Sequence, residues 1–433
     1  MNDRNENRLG YKETKVGWIP EDWEAVKLGT IGAGIRYAIV DGPFGSNLKS
    51  IHYRDEGVPV IQSGFVTSGL FKAKKYFYVE EDLFEKQKRS AVRGGDIIMA
   101  KIGAQAGRCA IMPKTHPTSI LAGNCLKISP HQKRFNTHYT TMLLHRAYAH
   151  SGLIEIKTET AQPAISLRNL KTFSLAYPPL PEQEAIAEVL GCWDEGLESL
   201  DKLIDAKKLR KKGLMQKLLT GTRRLPGFTK DWKEVRLGDV FDRVTKKNKT
   251  GCNNNLTISG PLGLINQEEY FKKRIASTDN SGYYLIKNGE FAYNKSYCNG
   301  YPLGAIKRLD RYDEGVVSTL YICFALKDGE ADSNFMAQYF ENGELDHEIY
   351  RVAQEGARNH GLLNITATDY FNTKITIPPT LDEQKAIAAV LETADEEIRL
   401  LEAERDALTE QKKGLMQKLL TGEVRMPEFA TAV

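Results

Sequence analysis

The sequence KKGLMQKLLTG occupies residues 211–221 and recurs unchanged at residues 412–422, 201 positions later. The match extends upstream at the same offset, because Glu182-Gln183 is paired with Glu383-Gln384. A repeat of this kind has to be identified before any fold is assigned, since it determines the architecture. The chain therefore consists of two related halves.

The segment that follows the second copy of the repeat is continued by a segment near the N-terminus. RLPGF at residues 224–228 is matched by RMPEF at 425–429, close to the C-terminus. The first copy continues into DWKEVRLG at residues 231–238, and a similar segment, DWEAVKLG, stands at residues 22–29. This order predicts a closed arrangement with approximate two-fold symmetry, in which each half has one globular domain and one long connector.

The connectors have the pattern of long helices. Residues 182–220 contain no proline, and their apolar residues alternate in steps of four and three, which is the spacing of a coiled-coil seam. A helix of about 40 residues is about 60 Å long, and two such helices related by a two-fold axis run antiparallel. We predict interhelix packing by Ile186, Leu190, Trp193, Leu197, Leu200 and Ile204 with Ile387, Leu391, Ile398, Leu401 and Leu408. Gly221 and Gly422 are typical of helix C-terminal caps.

The length of 433 residues is more than one hydrophobic core usually organises. The predicted fold class is α+β, with two globular α/β domains joined by two long helices in an antiparallel coiled coil of pseudo-two-fold symmetry. The predicted segments are a polar N-terminal tail (1–16), a first globular domain (17–177), a first spacer helix (178–222), a second globular domain (223–377) and a second spacer helix with a tail (378–433).

The two globular domains share a scaffold but differ in their loops. Residues 95–101 and 289–295 both predict a turn and a strand that ends at a lysine. The following loops differ, with IGAQAGR at 102–108 and SYCNGYP at 296–302. Such divergence is expected when loop tips select different partners. Trp23 and Trp232, at equivalent positions of the repeat, are expected to anchor the two cores.

Positive charge is concentrated in the globular domains. Residues 1–177 contain 25 Lys and Arg against 16 Asp and Glu, residues 223–377 contain 21 against 20, and both spacer segments are net acidic. Residues 101–150 include seven basic residues and no acidic one. A stretch of this kind is typical of a phosphate-binding surface, and a solvated basic face is the alternative.

The sequence lacks the signatures of the enzyme classes that act on nucleic acid. It has no Gly-Lys dipeptide for a Walker A loop. Its Pro-Pro pairs lack the flanking Asn or Asp and aromatic residue with which amino-methyltransferases hold a flipped base. The six cysteines and eight histidines show no metal-ligand spacing, and we expect free thiols and no metal. With a polar N-terminus and no long apolar run, the protein is expected to be cytoplasmic.

The order of these segments resembles the specificity subunit of type I restriction-modification systems. Each copy of KKGLMQKLLTG is preceded by a related segment, PPLPEQEAIAEVL (178–190) or PPTLDEQKAIAAVL (378–391). Two further segments are similar to sequence motifs of that family: DGPFGSNLK (41–49) and TAQPAISLRNLKTF (160–173). The resemblance covers nearly everything after residue 16. It implies target recognition domains that each read one half of a bipartite DNA sequence, with the helices setting the spacer.

The resemblance also implies the partners of a non-catalytic chain. These are double-stranded DNA, two DNA methyltransferase subunits and restriction subunits, with S-adenosylmethionine, ATP and magnesium on the partners and no cofactor here. Base edges are read by Arg, Lys, Asn and Gln side chains on loops. The candidate DNA-binding residues are Asn47, Lys49, Lys101, Gln105, Arg108, Gln162, Arg168, Asn294, Lys295, Tyr297, Asn299, Arg358, Asn359 and His360. A coiled-coil adaptor that organises proteins without binding DNA is the alternative from the residues alone.

Overall fold

The computed structural model describes residues 5–150, 152–153, 155–157, 163–272, 279–298, 300–355 and 363–429. The chain folds into two compact units, residues 1–199 with 405–433 and residues 200–404. Each unit contains one globular domain and a segment of both long helices. The units therefore differ from the five consecutive segments of the sequence-based division, because each long helix contributes to both.

The strands of the first unit are β1 (Tyr11–Thr14), β2 (Gly17–Pro20), β3 (Glu24–Lys27), β4 (Ile39–Asp41), β5 (Val58–Ile61), β6 (Phe77–Val79), β7 (Ala91–Val92), β8 (Ile97–Ala100), β9 (Cys109–Ile111), β10 (Ser119–Leu121), β11 (Cys125–Ile128) and β12 (Ser174–Tyr177). Its helices are α1 (Glu81–Lys86), α2 (Thr137–Ala149) and α3 (Leu167–Thr172). The first long helix, α4 (Leu180–Leu218), begins in this unit and ends in the second.

The strands of the second unit are β13 (Lys233–Arg236), β14 (Phe241–Val244), β15 (Leu256–Ser259), β16 (Gly263–Asn266), β17 (Tyr284–Lys287), β18 (Phe291–Asn294), β19 (Ala305–Arg308), β20 (Glu314–Val317), β21 (Ile322–Leu326), β22 (Gln354–Glu355), β23 (Leu363–Asn364) and β24 (Lys374–Ile377). Its helices are α5 (Leu237–Val240), α6 (Gln267–Phe271), α7 (Ser333–Glu341), α8 (Asp346–Val352) and α9 (Ala367–Phe371). The second long helix, α10 (Leu381–Leu419), begins here and ends in the first unit.

The same antiparallel sheet occurs in both units. The strand order is β4-β11-β8-β9 in the first unit and β14-β21-β18-β19 in the second. Strand β8 ends at Ala100 and strand β18 ends at Asn294, so that Lys101 and Lys295 follow directly. The sequence-based expectation of a strand that ends at a lysine is confirmed at both places.

Outside this shared sheet the two units differ. In the first unit, β6-β5-β10-β7 form a second sheet, whereas β15-β16 and β17-β20 form two-stranded ladders in the second. The beginning and end of each globular domain are nevertheless joined in the same way, because β3 pairs with β12 and β13 pairs with β24. The units thus share a central scaffold on which the remaining segments vary.

The two long helices pack together and run antiparallel. In the first unit, Asp194 of α4 forms an ion pair with Lys412 of α10. In the second unit, Lys208 Nζ lies 2.6 Å from Glu402 Oε1 and Lys211 Nζ lies 2.6 Å from Asp395 Oδ1. Residue numbers along α4 increase as those of their partners decrease. The predicted α+β fold with two packed antiparallel helices is confirmed.

Burial along the helices is strongest near their two ends. Ile186 and Leu190 lie in the core of the first unit together with Leu419 and Leu420 from the end of α10. The mirrored cluster in the second unit contains Ile387 and Leu391 from α10 with Met215, Leu218 and Leu219 from α4. Ile204 and Ile398 are also buried, and the remaining predicted seam residues are half-buried: Trp193, Leu197, Leu200, Leu401 and Leu408.

This arrangement explains why KKGLMQKLLTG is repeated. Each copy ends a helix whose last apolar residues enter the core around the start of the other helix. Gly221 and Gly422 follow with left-handed φ values of 70° and 67°, where a residue without Cβ is favoured. A Cβ at Gly422 would also lie 2.6 Å from Pro20. Both copies therefore meet the same packing and backbone requirements.

Residues 5–11 of the segment assigned from sequence to a polar N-terminal tail contact the residues that follow α10. Strand β1 pairs with β2, and Asn5 Nδ2 donates to the Thr421 carbonyl at 3.2 Å. Arg8 donates to the Glu423 carbonyl at 2.8 Å, and Tyr11 Oη donates to the Gly422 carbonyl. Carbonyls at a helix end need external donors. The polar residues of this segment provide them.

The six cysteines are free, with Cys109, Cys125 and Cys323 buried. Burial raises the pKa of the Cys109 thiol to about 12. Among the described residues, no group of three or more His, Cys, Asp or Glu side chains is placed to hold a metal ion. In the same part of the chain, none of the helices has the length and apolar character that crossing a membrane requires.

Candidate nucleic-acid interface

A buried carboxylate at the start of α4 fixes the base of the first globular domain. Glu182 is fully buried and accepts hydrogen bonds from Arg425 Nε at 2.6 Å and Trp23 Nε1 at 3.1 Å. Arg425 also donates to both carboxylate oxygens of Asp22, at 2.9 and 2.7 Å. Although burial opposes it, hydrogen bonding and charge from Glu182 and Asp22 raise the pKa of Arg425.

The second unit contains the same arrangement. Glu383, at the start of α10, accepts from Arg224 at 2.6 and 2.8 Å and from Trp232 Nε1 at 3.3 Å. In place of a second acid, Arg224 donates to the Lys230 carbonyl at 2.9 Å. Trp23 is buried, as predicted, whereas Trp232 is half-buried. Both indoles anchor their domain through packing and through a hydrogen bond to a buried acid.

The glutamine that follows each buried glutamate connects the long helix to the globular domain. Gln183 Oε1 accepts from the Asn136 amide at 2.9 Å, and Asn136 is the N-cap of α2. In the second unit, Gln384 Oε1 accepts from the Asp332 amide at 2.7 Å, and Asp332 is the N-cap of α7. The repeated Glu-Gln pair therefore holds the loops of each domain in a fixed relation to the adjacent helix segment.

Lys101 lies at the centre of the candidate interface of the first unit, but it is largely enclosed. Its Nζ is 2.9 Å from Asp41 Oδ2 and 3.8 Å from the centroid of the Phe44 ring. The lysine side chain is only 12% exposed. Lys101 thus holds the 41–49 loop in place, and its predicted contact with DNA stays a prediction.

The 41–49 loop presents the exposed groups around this lysine. Asp41 Oδ1 also accepts from Arg89 at 3.0 Å, and the Arg89 side chain is 55% exposed. Phe44 is 45% exposed. Asn47 and Lys49, both predicted from sequence, are exposed on the same loop. Cationic, amide and aromatic groups therefore occur together at the surface.

A second cluster lies on the loop that follows Lys101. Arg108 Nε donates to Gln105 Oε1 at 3.0 Å, and Tyr148 Oη approaches the same oxygen at 3.4 Å. The Tyr148 ring is contacted by two cations, with its centroid 4.9 Å from the Arg108 guanidinium carbon and 5.1 Å from Lys157 Nζ. Cations within about 6 Å of a ring are attracted to it. The predicted pair Gln105 and Arg108 is thus extended by Tyr148 and Lys157.

Backbone hydrogen bonds bring a third segment to the Lys101 loop. The Ile165 amide donates to the Lys101 carbonyl at 2.9 Å, and the Gly103 amide donates to the Pro163 carbonyl at 2.9 Å. Arg168 is exposed shortly after this contact, in the first turn of α3. The structure therefore places the Lys101 loop beside the segment that leads to Arg168, and Gln162 lies outside the described residues.

The second unit holds its corresponding loop in the same register. The Leu363 amide donates to the Lys295 carbonyl at 3.1 Å, and Lys295 Nζ donates to the Ile365 carbonyl at 3.4 Å. Asn294 Oδ1 accepts from the Ser296 amide at 3.1 Å, so this side chain stabilises the turn. Tyr297 is 63% exposed. The predicted contacts Asn299, Arg358, Asn359 and His360 lie outside the described residues.

Comparison with known proteins identifies the family of this doubled arrangement. The sequence profile of the type I restriction modification DNA specificity domain matches residues 20–208 and 229–410, which is most of the chain. The chain belongs to the type I restriction-modification specificity subunit family. The resemblance noted in the sequence is confirmed.

Relatives and solved structures agree with this assignment. The MjaVIII type I restriction enzyme specificity subunit of Methanocaldococcus jannaschii is 25% identical, and the match covers 96% of this chain and 96% of the relative. The fold is similar to the S subunit of a type I restriction-modification system from M. genitalium, with a TM-score of 0.52, 14% identity and coverage of 92% and 96%. A chain from a structural study of type I complex assembly gives a TM-score of 0.54 at 17% identity, covering 94% and 99%.

Several groups of this specificity subunit were missed by sequence reasoning. Asp41 and Phe44 stand in DGPFGSNLK, from which only polar and basic residues later in the phrase were chosen as DNA contacts. Arg89, Tyr148 and Lys157 lie in no recognisable phrase, and only the fold brings them to the loops. The motif DGPFG at residues 41–45 could have indicated Asp41 and Phe44, because it places a charge, an aromatic ring and two glycines within five residues.

Proposed function

We propose that this specificity subunit reads a bipartite DNA sequence, with each globular domain contacting one half of the target. The proposal rests chiefly on one observation. The loops after Lys101 and Lys295 are held on equivalent strands by equivalent backbone hydrogen bonds at 2.9 and 3.1 Å, yet their sequences differ. One scaffold with two different loop surfaces is suited to reading two different half-sites.

The chemistry of the first unit supports contacts to both phosphates and bases. Lys49, Arg89 and Arg168 are exposed cations around the loops, suited to phosphate oxygens. Gln105 and Arg108 supply an amide and a guanidinium, the groups that form bidentate hydrogen bonds with adenine and guanine edges. The Tyr148 ring restrains the guanidinium, which reduces the entropy that binding would cost.

In this proposal the long helices have two tasks. Each contains 39 residues, or about 60 Å of helix, and the length of the pair sets the distance between half-sites. Helix faces that remain free after pairing bind two DNA methyltransferase subunits, and restriction subunits complete the complex. S-adenosylmethionine, ATP and magnesium bind to those partners. This chain contributes sequence recognition and no catalytic group.

The test begins with the chain expressed under its own promoter with an affinity tag. Proteins that copurify are identified by mass spectrometry, and the material is assayed for methyl transfer from S-adenosylmethionine to host DNA that lacks native methylation. We expect a methyltransferase in near-stoichiometric amount. We also expect methylation confined to one bipartite sequence, mapped by single-molecule sequencing.

A matched control keeps the helices but changes one loop that is proposed to recognise DNA. Exchanging the loop at residues 102–108 for that of another specificity subunit should alter one half-site and leave the other half-site and the copurifying proteins unchanged. Recovery of unrelated proteins without methyl transfer would instead support a coiled-coil adaptor. Methylation whose sequence is unaffected by the loop exchange would contradict recognition by this domain.

A further inference from the structure

Phe44 occupies an unusual position in the first unit. It follows strand β4, which ends at Asp41, after Gly42 and Pro43; its backbone is extended at φ −105° and ψ 157°, and it is 45% exposed. Single exposed apolar residues are common on protein surfaces. This one differs because the surrounding residues hold it at the surface.

A charged pair restrains the ring from one side. Lys101 Nζ lies 3.8 Å from the ring centroid, and the same ammonium is bound to Asp41 at 2.9 Å. The Lys101 and Asp41 side chains are 12% and 14% exposed, so water competes weakly for this contact. A cation at this distance is attracted to the ring face and limits its rotation.

The segment from Asp41 to Phe44 is also fixed through its backbone. The Gly42 amide donates to the Cys125 carbonyl at 3.0 Å, and Ser90 Oγ donates to the Asp41 carbonyl at 2.9 Å. A Cβ at Gly42 would lie 2.0 Å from the Ala122 carbonyl oxygen, so this segment packs closely on the backbone at Ala122. Phe44 is therefore presented in a fixed position before any ligand binds.

Charge around the ring indicates what kind of ligand it meets. Lys49 on the same loop and Arg89 beside Asp41 are both exposed. An exposed ring with one exposed cation on its own loop and another beside Asp41 complements duplex DNA, in which stacked bases lie next to phosphate groups. A protein partner with a purely apolar pocket would leave the exposed Lys49 ammonium without an anionic counterpart.

We propose that Phe44 is a base-contacting residue that inserts against one base step of the half-site read by the first unit, with Lys101 and Asp41 as its positioning residues. The inference rests on the proposed function, since it requires that this unit binds DNA. Apolar side chains that enter a base step unstack it partly and favour steps that deform easily. Phe44 thus contributes sequence preference without hydrogen bonds.

The proposal predicts an asymmetric effect. In the second unit, the strand equivalent to β4 is β14, and it is followed by Thr245, Lys246 and Lys247, with no aromatic residue among them. Loss of Phe44 should therefore change one half-site only. This separates base contact from a general weakening of the complex.

The experiment uses the full chain in complex with whatever methyltransferase it copurifies, and a pool of 40-base-pair duplexes of random sequence as the probe. Bound DNA is sequenced after successive selections. For Phe44→Ala we expect preference at one or two adjacent base pairs of one half-site to fall on the order of 10-fold. Phe44→Leu keeps an apolar wedge and should retain preference within about 3-fold of wild type.

Two controls distinguish base contact from other effects. Leu70→Ala removes a side chain that is 63% exposed in the same unit, and it should leave the selected sequence unchanged. Because Phe44 is uncharged, the slope of log affinity against log salt should be the same for Phe44→Ala and wild type. Asp41→Asn should reproduce the loss of preference while steepening the slope by about one phosphate contact, because Lys101 is released.

The outcomes separate this inference from the proposed function. If the wild-type complex selects a bipartite sequence and Phe44→Ala selects the same sequence with equal preference, Phe44 makes no base contact and the inference is overturned alone. An equal loss with Leu70→Ala would overturn it as well. If the wild-type complex selects no sequence, the proposed function fails and the inference fails with it.

Discussion

Arg425 Nε donates a hydrogen bond of 2.6 Å to Glu182 Oε1, although the two residues are 243 positions apart. The acceptor begins one long helix and the donor follows the end of the other. Glu383 and Arg224 repeat the contact at 2.6 Å in the second unit. Each copy of the internal repeat thus contributes to a buried ion pair that connects the segment after one long helix to the start of the other.

Arg425→Met should destabilise the first unit selectively. The substitution leaves the Glu182 carboxylate fully buried with Trp23 as its remaining partner among these groups. Removing one member of a buried pair costs about 3–5 kcal/mol because the other charge stays uncompensated. Hydrogen exchange of the β8 amides, measured by mass spectrometry, should accelerate accordingly, with the β18 amides of the second unit as the internal reference.

The reciprocal and surface variants provide the controls for this prediction. Arg224→Met should accelerate exchange in β18 and spare β8. Arg399→Met removes an exposed pair with Glu396 and should leave the stability of both units nearly unchanged. Equal effects of Arg425→Met on both units would contradict a local role for the pair.

His145 should make the first unit sensitive to mild acid. Burial lowers its pKa, against the hydrogen bond of 2.8 Å to the Cys109 carbonyl. The unfolded histidine takes up a proton near pH 6.5, whereas the folded one does so only at lower pH. Below pH 6.5 the unfolded state therefore binds more protons, and stability falls as the pH falls.

The measurement is the change in thermal midpoint between pH 7.5 and pH 5.5. His145→Gln keeps a donor for the carbonyl and cannot be protonated in this range, so its midpoint should fall less than that of wild type. His150→Gln, at an exposed position after the same helix, should behave as wild type. A wild-type pH dependence in His145→Gln would show that other groups dominate.

Sequence patterns predicted the parts of this fold that depend on local periodicity. The strands that end before Lys101 and Lys295 followed from a glycine turn and an apolar run. The left-handed conformations of Gly221 and Gly422 followed from their position after a helix. In each case neighbouring residues determine the conformation, so the sequence alone contains the necessary information.

Contacts between segments that are distant in the chain could not be predicted from the sequence. Lys101 was chosen as a candidate DNA contact, and nothing in the sequence indicates that Asp41, 60 positions earlier, forms an ion pair with it. The N-terminal residues were predicted only as a polar segment, and their composition does not indicate that Asn5 and Arg8 bind carbonyls more than 400 positions away. Neither periodicity nor a local motif indicates which distant residue a side chain will contact. They become visible only when the sheet and the helix ends are in place.

Arg108→Ala should weaken binding to one half-site without affecting assembly. The guanidinium is restrained by Gln105 and Tyr148 at the surface of the first unit. Loss of a bidentate base contact costs about 1–3 kcal/mol, or about 5- to 150-fold in affinity. Titration of a duplex with both half-sites, followed by titration of duplexes with single-base changes, should locate the loss in one half.

Lys295→Ala offers the matching test for the other half-site. Its amine donates to the Ile365 carbonyl at 3.4 Å, so the substitution should loosen the loop that carries Tyr297. Arg399→Ala removes a positive charge from the helices and should leave DNA affinity unchanged. Wild-type affinity in both Arg108→Ala and Lys295→Ala would contradict the assignment of these loops to DNA.

The spacer should lengthen when both long helices are extended together. Seven residues inserted after Ile204 in α4 and after Glu404 in α10 preserve the ion pair of Lys208 with Glu402 on one side and that of Asp194 with Lys412 on the other. Seven residues make about two helical turns, so the buried faces stay nearly aligned, and they add about 10 Å. That length corresponds to about three base pairs.

Methylation mapping of DNA modified by the extended complex tests this expectation. Both half-sites should be unchanged, and the spacer should be longer by about three base pairs. Insertion in α4 alone shifts Lys208 and Lys211 against their partners and should reduce assembly instead of lengthening the spacer. An unchanged spacer in the doubly extended chain would show that helix length does not determine the distance between half-sites.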